Sequence, residues 1–108
     1  MPLEKWSEQV CVIHLGDDPQ FTDDMAAIEQ QAAGRRSAVL DFAGVHFINS
    51  SNIARLLKLR KQMNGAQTRL VLCNLSTQVW GAFLTTGLDK IFAFSDNVTT
   101  ALATLQMA

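Results

Sequence analysis

The sequence predicts an α/β domain in which a mixed, mostly parallel sheet of about five strands is packed by about four helices. Short apolar runs typical of strands alternate with segments whose apolar residues recur at helical spacing, and this order favours parallel strands joined by helices. The run Ala38-Val39-Leu40 is apolar without alternation, as expected for a strand covered on both faces. The 108 residues fit one domain over residues 1–108 and suffice to bury a core.

Composition excludes several classes of protein. Hydrophobic residues make up 48% and charged residues 18% of the chain, which indicates a folded protein rather than a disordered one. With a net charge of -1 the chain is not basic enough overall to suggest nucleic acid as a partner. The apolar runs are far shorter than the ~20 residues of a membrane span, and the first residues lack the basic start of a signal peptide. We therefore expect a cytoplasmic protein without nucleic-acid partner or direct membrane insertion.

Cysteine and histidine usage points away from metal and redox chemistry. Cys11 and Cys73 both lie in strand-like runs, where cysteine is most often a small buried hydrophobe. The chain has no CxxC, and His14 and His46 are isolated. No nucleophilic triad, glycine-rich phosphate loop or zinc pattern is present. We predict no catalytic residue, no metal and no cofactor.

Five segments are predicted to be strands because they are short, apolar and rich in β-branched or aromatic residues. They cover residues 3–7, 10–15, 37–42, 69–73 and 91–94. The first is a short edge strand that turns at residues 7–9. Turn-forming residues after the second strand predict a loop over residues 16–20.

Four segments are predicted to be helices because their apolar residues recur three or four positions apart. The predicted buried faces are Met25, Ile28 and Ala32; Ile53, Leu56, Leu57, Leu59 and Met63; Val79, Phe83 and Leu84; and Val98, Ala101, Leu102 and Leu105. Small polar residues that accept from backbone N–H groups predict N-caps at Thr22, at Ser76, and at either Ser95 or Asp96. Gly34 is predicted to end the first helix, and Gly87 the third.

Four small polar residues, Asn49, Ser50, Ser51 and Asn52, separate the third strand from the second helix. Asn and Ser cap helices because their short side chains accept from free backbone N–H groups. A helix N-terminus also favours a phosphate, since its free N–H groups and dipole stabilise negative charge. On their own these residues are explained by capping, and a regulatory phosphoacceptor at Ser51 is the alternative hypothesis.

Two sequence blocks extend this junction into a family pattern. Residues 41–52 read Asp-Phe-Ala-Gly-Val-His-Phe-Ile-Asn-Ser-Ser-Asn, and residues 70–79 followed by 86–92 read LVLCNLSTQV and TGLDKIF. The first block resembles Asp-hydrophobic-x-x-Val-x-Phe-hydrophobic-Asp-Ser-Ser-Gly, and the second is similar to LVLxNLSxxV followed by TGLDxxF. Both patterns are those of the STAS domain (sulfate transporter and anti-sigma factor antagonist domain), above all of its small stand-alone members. The resemblance covers nearly the whole chain.

The resemblance implies a non-enzymatic switch. In antagonists of this family the second serine of Asp-Ser-Ser-Gly is phosphorylated by the anti-sigma factor, which is a serine kinase, and that position is Ser51 here. The unmodified antagonist binds the anti-sigma factor and frees the sigma factor, whereas the phosphorylated antagonist dissociates from the anti-sigma factor. A serine phosphatase then resets the switch. Asn49, Ser50 and Asn52 form the immediate setting of Ser51.

Three positions depart from the family pattern. Asn49 replaces the family's Asp, which keeps the capping oxygen but removes the charge. Asn52 replaces the family's Gly and is expected to put a side chain beside the acceptor. In the loop before the first helix Pro19 takes the place of the family's Asp, and Asp18 stands one residue earlier.

The expected partner surface joins the loop before the first helix to the start of the second helix. Its predicted members are Asp17, Asp18, Gln20, Phe21 and Arg55.

Two other functions are known for small domains of this family. Some are cytoplasmic subunits of ABC transporters that move lipids, in which case the partner is an ABC ATPase. Others are scaffold subunits of a large stress-signalling complex, without a phosphoswitch. Trp80 lies one position from the apolar face of its helix, so we expect partial burial; if exposed, it could anchor a partner.

Overall fold

A computed structural model of the protein describes residues 3–5, 10–33 and 37–106. The strands in these ranges are β1 (Leu3–Lys5), β2 (Val10–Gly16), β3 (Ser37–Gly44), β4 (Leu70–Cys73) and β5 (Ala93–Ser95). The α-helices are α1 (Gln20–Ala33), α2 (Ser50–Gly65), α3 (Thr77–Thr86) and α4 (Val98–Gln106), and a 3-10 turn covers Leu88–Lys90. The α/β fold class, the five strands and the four helices are confirmed.

The five strands form one sheet in the order β1-β2-β3-β4-β5. The β1 strand is antiparallel to β2, and all the other pairs are parallel, so the sheet is mixed and mostly parallel as predicted. Because parallel strands all end at the same side, the residues that follow β2 to β5 share one edge of the sheet. We call this the carboxyl edge; it comprises residues 17–19, 45–52, 74–76 and 96–97.

Both faces of the sheet are covered. Inward residues of β2 to β4 pack under helices α1 to α3, where Met25, Leu56 and Phe83 are fully buried. Alternate residues on the same strands, among them Val39 and Val71, pack against α4 on the other face. Successive strand side chains point to opposite faces, so a strand covered on both sides is apolar throughout.

An aromatic cluster holds the end of β3 against the helices. Phe42 is fully buried, and its ring meets those of Phe21 at 6.3 Å and Phe83 at 6.4 Å in edge-to-face arrangements. Each such ring pair contributes about 0.5–1.5 kcal/mol beyond its buried area. Phe42 therefore fixes the position from which the chain leaves β3 towards α2.

Two predicted helix caps are wrong. Helix α1 begins at Gln20, before the predicted cap Thr22. The cap of α4 is Asn97, whose side chain accepts from the N–H of Thr100 at 2.8 Å, rather than Ser95 or Asp96. Ser76 is confirmed as the cap of α3, and its side chain accepts from the N–H of Val79.

The predicted buried faces hold with two exceptions among the described side chains, which do not include that of Ala32. Leu57 and Leu84 are 37% and 50% exposed, because each lies at the margin of its helix's apolar face.

Gly87 follows α3 with a φ of 76°, the left-handed conformation that favours glycine. The predicted turn at residues 7–9 and the predicted helix end at Gly34 lie outside the described ranges. Every helix in the described ranges falls short of the length and apolar character that a membrane span requires.

Candidate phosphoacceptor site

Ser51 lies in the first turn of α2, at the carboxyl edge next to the end of β3. Ser50 and Ser51 are both exposed. The helix begins here because Asn49 and Asn52 form a reciprocal capping box. Asn49 accepts from the N–H of Asn52 at 2.9 Å, and Asn52 accepts from the N–H of Asn49 at 3.1 Å.

Asn52 points into the protein. It is 3% exposed, and its Nδ2 donates to Asp18 Oδ2 at 2.9 Å. The expectation that its side chain lies beside the acceptor is therefore wrong, because the capping box and Asp18 turn it away from the surface. Ser51 keeps an open approach from solvent.

Asp18 connects the loop before α1 to the first turn of α2. Its Oδ2 accepts from both Asn52 and Asn49, the latter at 3.4 Å, while its Oδ1 accepts from the N–H of Thr22 at 3.2 Å and from the hydroxyl at 2.8 Å. Hydrogen bonds from Asn52, then Thr22, lower the pKa of Asp18 below its ordinary value. The three departures from the family pattern meet here: the amides at positions 49 and 52 supply donors to an aspartate that has moved one residue.

Asp17 makes a second connection between the same two segments. It accepts from the N–H of His46 at 2.8 Å, and its other oxygen lies 2.8 Å from the Nδ1 of His46. The backbone and ring of His46 lower the pKa of Asp17, so this carboxylate is ionised at neutral pH. Together Asp17 and Asp18 hold the α1 loop against the segment that leads to Ser51.

The other predicted partner residues differ in accessibility. Gln20 is exposed and donates to Asp24 Oδ1 at 2.8 Å. Arg55 is partly exposed and its Nη1 lies 3.4 Å from Glu29 Oε1. The placement of Phe21 on the partner surface is wrong, because its side chain is 1% exposed and packs on Phe42.

Sequence reasoning missed one exposed residue at this edge. Phe47 is 63% exposed, the highest value among the large hydrophobic residues of the described ranges. It lies between His46, which is tied to Asp17, and the N-cap Asn49. The motif showed an aromatic residue at this position, but its periodicity could not show which way the side chain points.

A second polar cluster was also missed, and it joins the two motif blocks. Asp41 Oδ1 accepts from Asn74 Nδ2 at 2.9 Å and from the N–H of Ala43 at 3.0 Å, and Asp41 Oδ2 lies 2.6 Å from His14 Nδ1. Burial acts to raise the pKa of Asp41, but the hydrogen bonds from Asn74, Ala43 and His14 outweigh it and lower the pKa. The sequence contained one signal for this contact, a polar residue near the end of the strand in each of the two motif blocks.

The arrangement offers an accessible hydroxyl at the positive end of a long helix. The hydroxyl of Ser51 makes no hydrogen bond within the described part of the chain. The first N–H groups of a helix have no partner inside it, so they stabilise a phosphate placed there. The same ranges contain no group of three His, Cys, Asp or Glu residues that could hold a metal ion.

Comparisons with known proteins agree on one family. The family model of the STAS domain matches residues 12–101, which include the whole site. A Bordetella bronchiseptica protein assigned as an anti-sigma factor antagonist, BtrV, is 30% identical over 97 residues, covering 90% of this chain and 82% of that protein.

Solved structures of the anti-sigma factor antagonist SpoIIAA share the fold. Its unphosphorylated form superposes with a TM-score of 0.82 at 20% identity, covering 98% of this chain and 96% of SpoIIAA. The phosphorylated form of SpoIIAA from Bacillus superposes with a TM-score of 0.67 at 19% identity, covering 94% of each chain. At these sequence identities the structural similarity shows a shared fold and nothing more.

Proposed function

The chain belongs to the STAS domain family, and we propose that it is an anti-sigma factor antagonist whose binding to a serine-kinase anti-sigma factor is controlled by phosphorylation of Ser51. The observation that carries the proposal is the exposed hydroxyl of Ser51 on a first helical turn fixed by the Asn49–Asn52 capping box. The antagonist assignment of the relative BtrV, and the existence of phosphorylated and unphosphorylated SpoIIAA, support it.

Phosphorylation at this position is compatible with the fold. A phosphate adds roughly -1.5 to -2 charges, and the helix N-terminus stabilises negative charge. The capping box is built by Asn49 and Asn52 and does not use the Ser51 hydroxyl. We therefore propose that the modified and unmodified proteins share one structure and differ only at the surface.

The same phosphate is unfavourable in a complex that has closed over the unmodified serine. A partner that buries Ser51 would have to desolvate a dianion in place of a neutral hydroxyl. A hundredfold loss of affinity needs only about 2.7 kcal/mol. This difference is enough for a switch, with no large conformational change.

The proposed partner surface surrounds Ser51 and joins the carboxyl edge to the first turns of α1 and α2. It comprises Asp17, Asp18, Gln20, Phe47 and Arg55. Phe47 replaces Phe21 as its aromatic member, because exposed aromatic residues are frequent hot spots of interfaces. On this proposal the protein is a cytoplasmic binding protein and not an enzyme, and a serine phosphatase restores the unmodified form.

Affinity capture from the source cell tests the proposal. The baits are the wild type, Ser51→Ala, Ser51→Asp and the matched control Ser50→Asp, which places the same charge one residue away on the same exposed turn. Captured proteins are identified, and the phosphate on the endogenous chain is mapped by mass spectrometry. We expect a kinase-type ATPase with wild type, Ser51→Ala and Ser50→Asp, its loss with Ser51→Asp, and phosphate on Ser51.

The same experiment separates the alternatives. If all four baits capture an ABC ATPase equally and Ser51 carries no phosphate, the chain is a transporter subunit. Equal capture of a large multi-subunit assembly by all four baits would instead indicate a scaffold. Either result would replace the phosphoswitch.

A further inference from the structure

A pocket lies on the carboxyl edge beyond Ser51, where β4 and β5 end. Its volume is about 260 Å³, and its lining residues are Leu75, Trp80, Phe94, Ser95 and Asp96. Leu75 follows β4, Trp80 belongs to α3, and the remaining three end or follow β5. The walls therefore come from three neighbouring parts of the fold.

Two aromatic rings form adjoining walls of this pocket. The centroids of Trp80 and Phe94 are 4.9 Å apart, and their planes are 87° from parallel. Both residues are partly buried and pack against the main core, where Phe94 also contacts Phe83 at 5.6 Å. Trp80 is thus partly buried, as expected from the sequence. The core holds both rings in place, so the pocket is present before anything binds.

The rim of the pocket carries an unpaired negative charge. Asp96 is exposed, and its carboxylate makes no hydrogen bond or ion pair with any other described residue. Its backbone carbonyl accepts from the N–H of Asn74 at 3.3 Å, which fixes this residue beside the end of β4. An aromatic wall and a free carboxylate both attract a cation.

We propose that this pocket receives an arginine side chain of the protein partner that binds the carboxyl edge. A guanidinium group is planar, stacks on aromatic rings and pairs with a carboxylate through two N–H groups, so Trp80 and Asp96 suit it together. Its aliphatic stem packs on apolar residues such as Leu75. The volume is below the roughly 300–1,000 Å³ of small-molecule sites, which favours one inserted side chain over a free ligand.

The pocket and Ser51 can be covered by one partner. The β5 strand lies two places from β3 in the sheet, a separation of roughly 10 Å at the usual strand spacing. A standard interface buries about 800 Å² on each side and easily spans this distance. The inference rests on the proposed function for the identity of the partner, but arginine recognition is testable without it.

Titration of the isotope-labelled chain with N-acetyl-arginine amide, followed by NMR, tests the pocket directly. The probe signal is the indole N–H of Trp80, identified by its loss in Trp80→Phe. N-acetyl-citrulline amide has nearly the same shape without the charge and is the matched ligand control. Asp23→Asn removes an exposed carboxylate on α1 and is the matched control for Asp96→Asn.

We expect a saturable shift of the Trp80 signal with the arginine probe and a smaller one with citrulline. Asp96→Asn should weaken binding about two- to fivefold, while Asp23→Asn leaves it unchanged. Equal responses to arginine and citrulline, no effect of Asp96→Asn, or no saturable shift would each overturn the proposal. None of these results would count against the proposed phosphorylation switch at Ser51. Conversely, if Ser51→Asp captured the partner as well as the wild type does, the switch would fail but arginine binding in the pocket would still be expected.

Discussion

Phe42 and Phe47 stand five residues apart on the path from β3 to α2, yet they belong to opposite environments. Phe42 is fully buried between the rings of Phe21 and Phe83, whereas Phe47 is 63% exposed. Both are members of the same family motif. The motif therefore combines a part that builds the core with a part that presents a surface, and the boundary between them lies at the carboxyl edge.

The two parts are held by different forces. Packing of apolar side chains fixes the Phe42 side, where burial carries the free energy. Hydrogen bonds that the carboxylates of Asp17 and Asp18 accept hold the Phe47 side to the loop before α1. Substitutions on the first side should cause the large losses of stability. On the second side, loss of an exposed side chain should change partner binding, and loss of a hydrogen bond should cost only a little stability.

Phe42→Ala should have the largest effect. Truncation of a fully buried phenylalanine removes its contacts and leaves a cavity, which costs about 3–5 kcal/mol of unfolding free energy. Urea denaturation followed by circular dichroism measures the loss. A value below about 1 kcal/mol would mean that the aromatic cluster does not hold the end of β3.

Phe47→Ala should leave the unfolding free energy within about 0.5 kcal/mol of wild type but weaken partner binding. A hot-spot aromatic residue contributes roughly 2 kcal/mol, or about thirtyfold in affinity. Leu84→Ala is the control, because Leu84 is 50% exposed on α3. Titration calorimetry with the captured partner measures the affinities of both variants. If the two variants bind the partner with equal affinity, Phe47 is not part of the interface.

Asn49→Ala should cost about 1 kcal/mol of stability, because it removes the side chain that caps α2. Asn49→Ser keeps a capping oxygen and is the matched control. Thermal unfolding of both variants checks this. If Asn49→Ser is as unstable as Asn49→Ala, the contact with Asp18 at 3.4 Å, rather than the cap, determines the effect.

Asp18→Asn should produce the smallest change in stability, and that change should depend on pH. The folded pKa of Asp18 is below its ordinary value of 3.8, so its contribution is present above that value and is lost as the pH falls through the folded pKa. Solvent screening keeps the effect small, since Asp18 is exposed. The urea midpoints of wild type and Asp18→Asn should therefore converge below about pH 4. A constant difference between the two urea midpoints over the whole pH range would contradict the lowered pKa of Asp18.

The fold was predictable because its signals are local. Apolar runs without alternation indicated strands covered on both faces, and helical spacing indicated the faces of α1 to α4. The start of α1 was missed because Asp18 reaches forward to the N–H of Thr22 from outside the helix. The inward turn of Asn52 was unpredictable for a similar reason, since its partner Asp18 comes from a loop 34 residues earlier.

The site was predictable only through the family resemblance. That resemblance identified Ser51, and the structure places it on an exposed first turn. It could not show that Phe21 is buried and Phe47 exposed, because both are aromatic residues in loop-like segments and only the packing of α1 on β3 distinguishes them.

The switch at Ser51 is tested most directly by the affinity of one purified kinase partner for the unmodified chain and for the chain phosphorylated on Ser51. Both forms are measured by titration calorimetry, with unfolding curves to confirm that both are folded. We predict that phosphorylation weakens binding about a hundredfold or more, a change of about 2.7 kcal/mol, while the unfolding free energy does not fall and rises by at most about 1 kcal/mol. Equal affinity of the two forms would contradict the switch at Ser51.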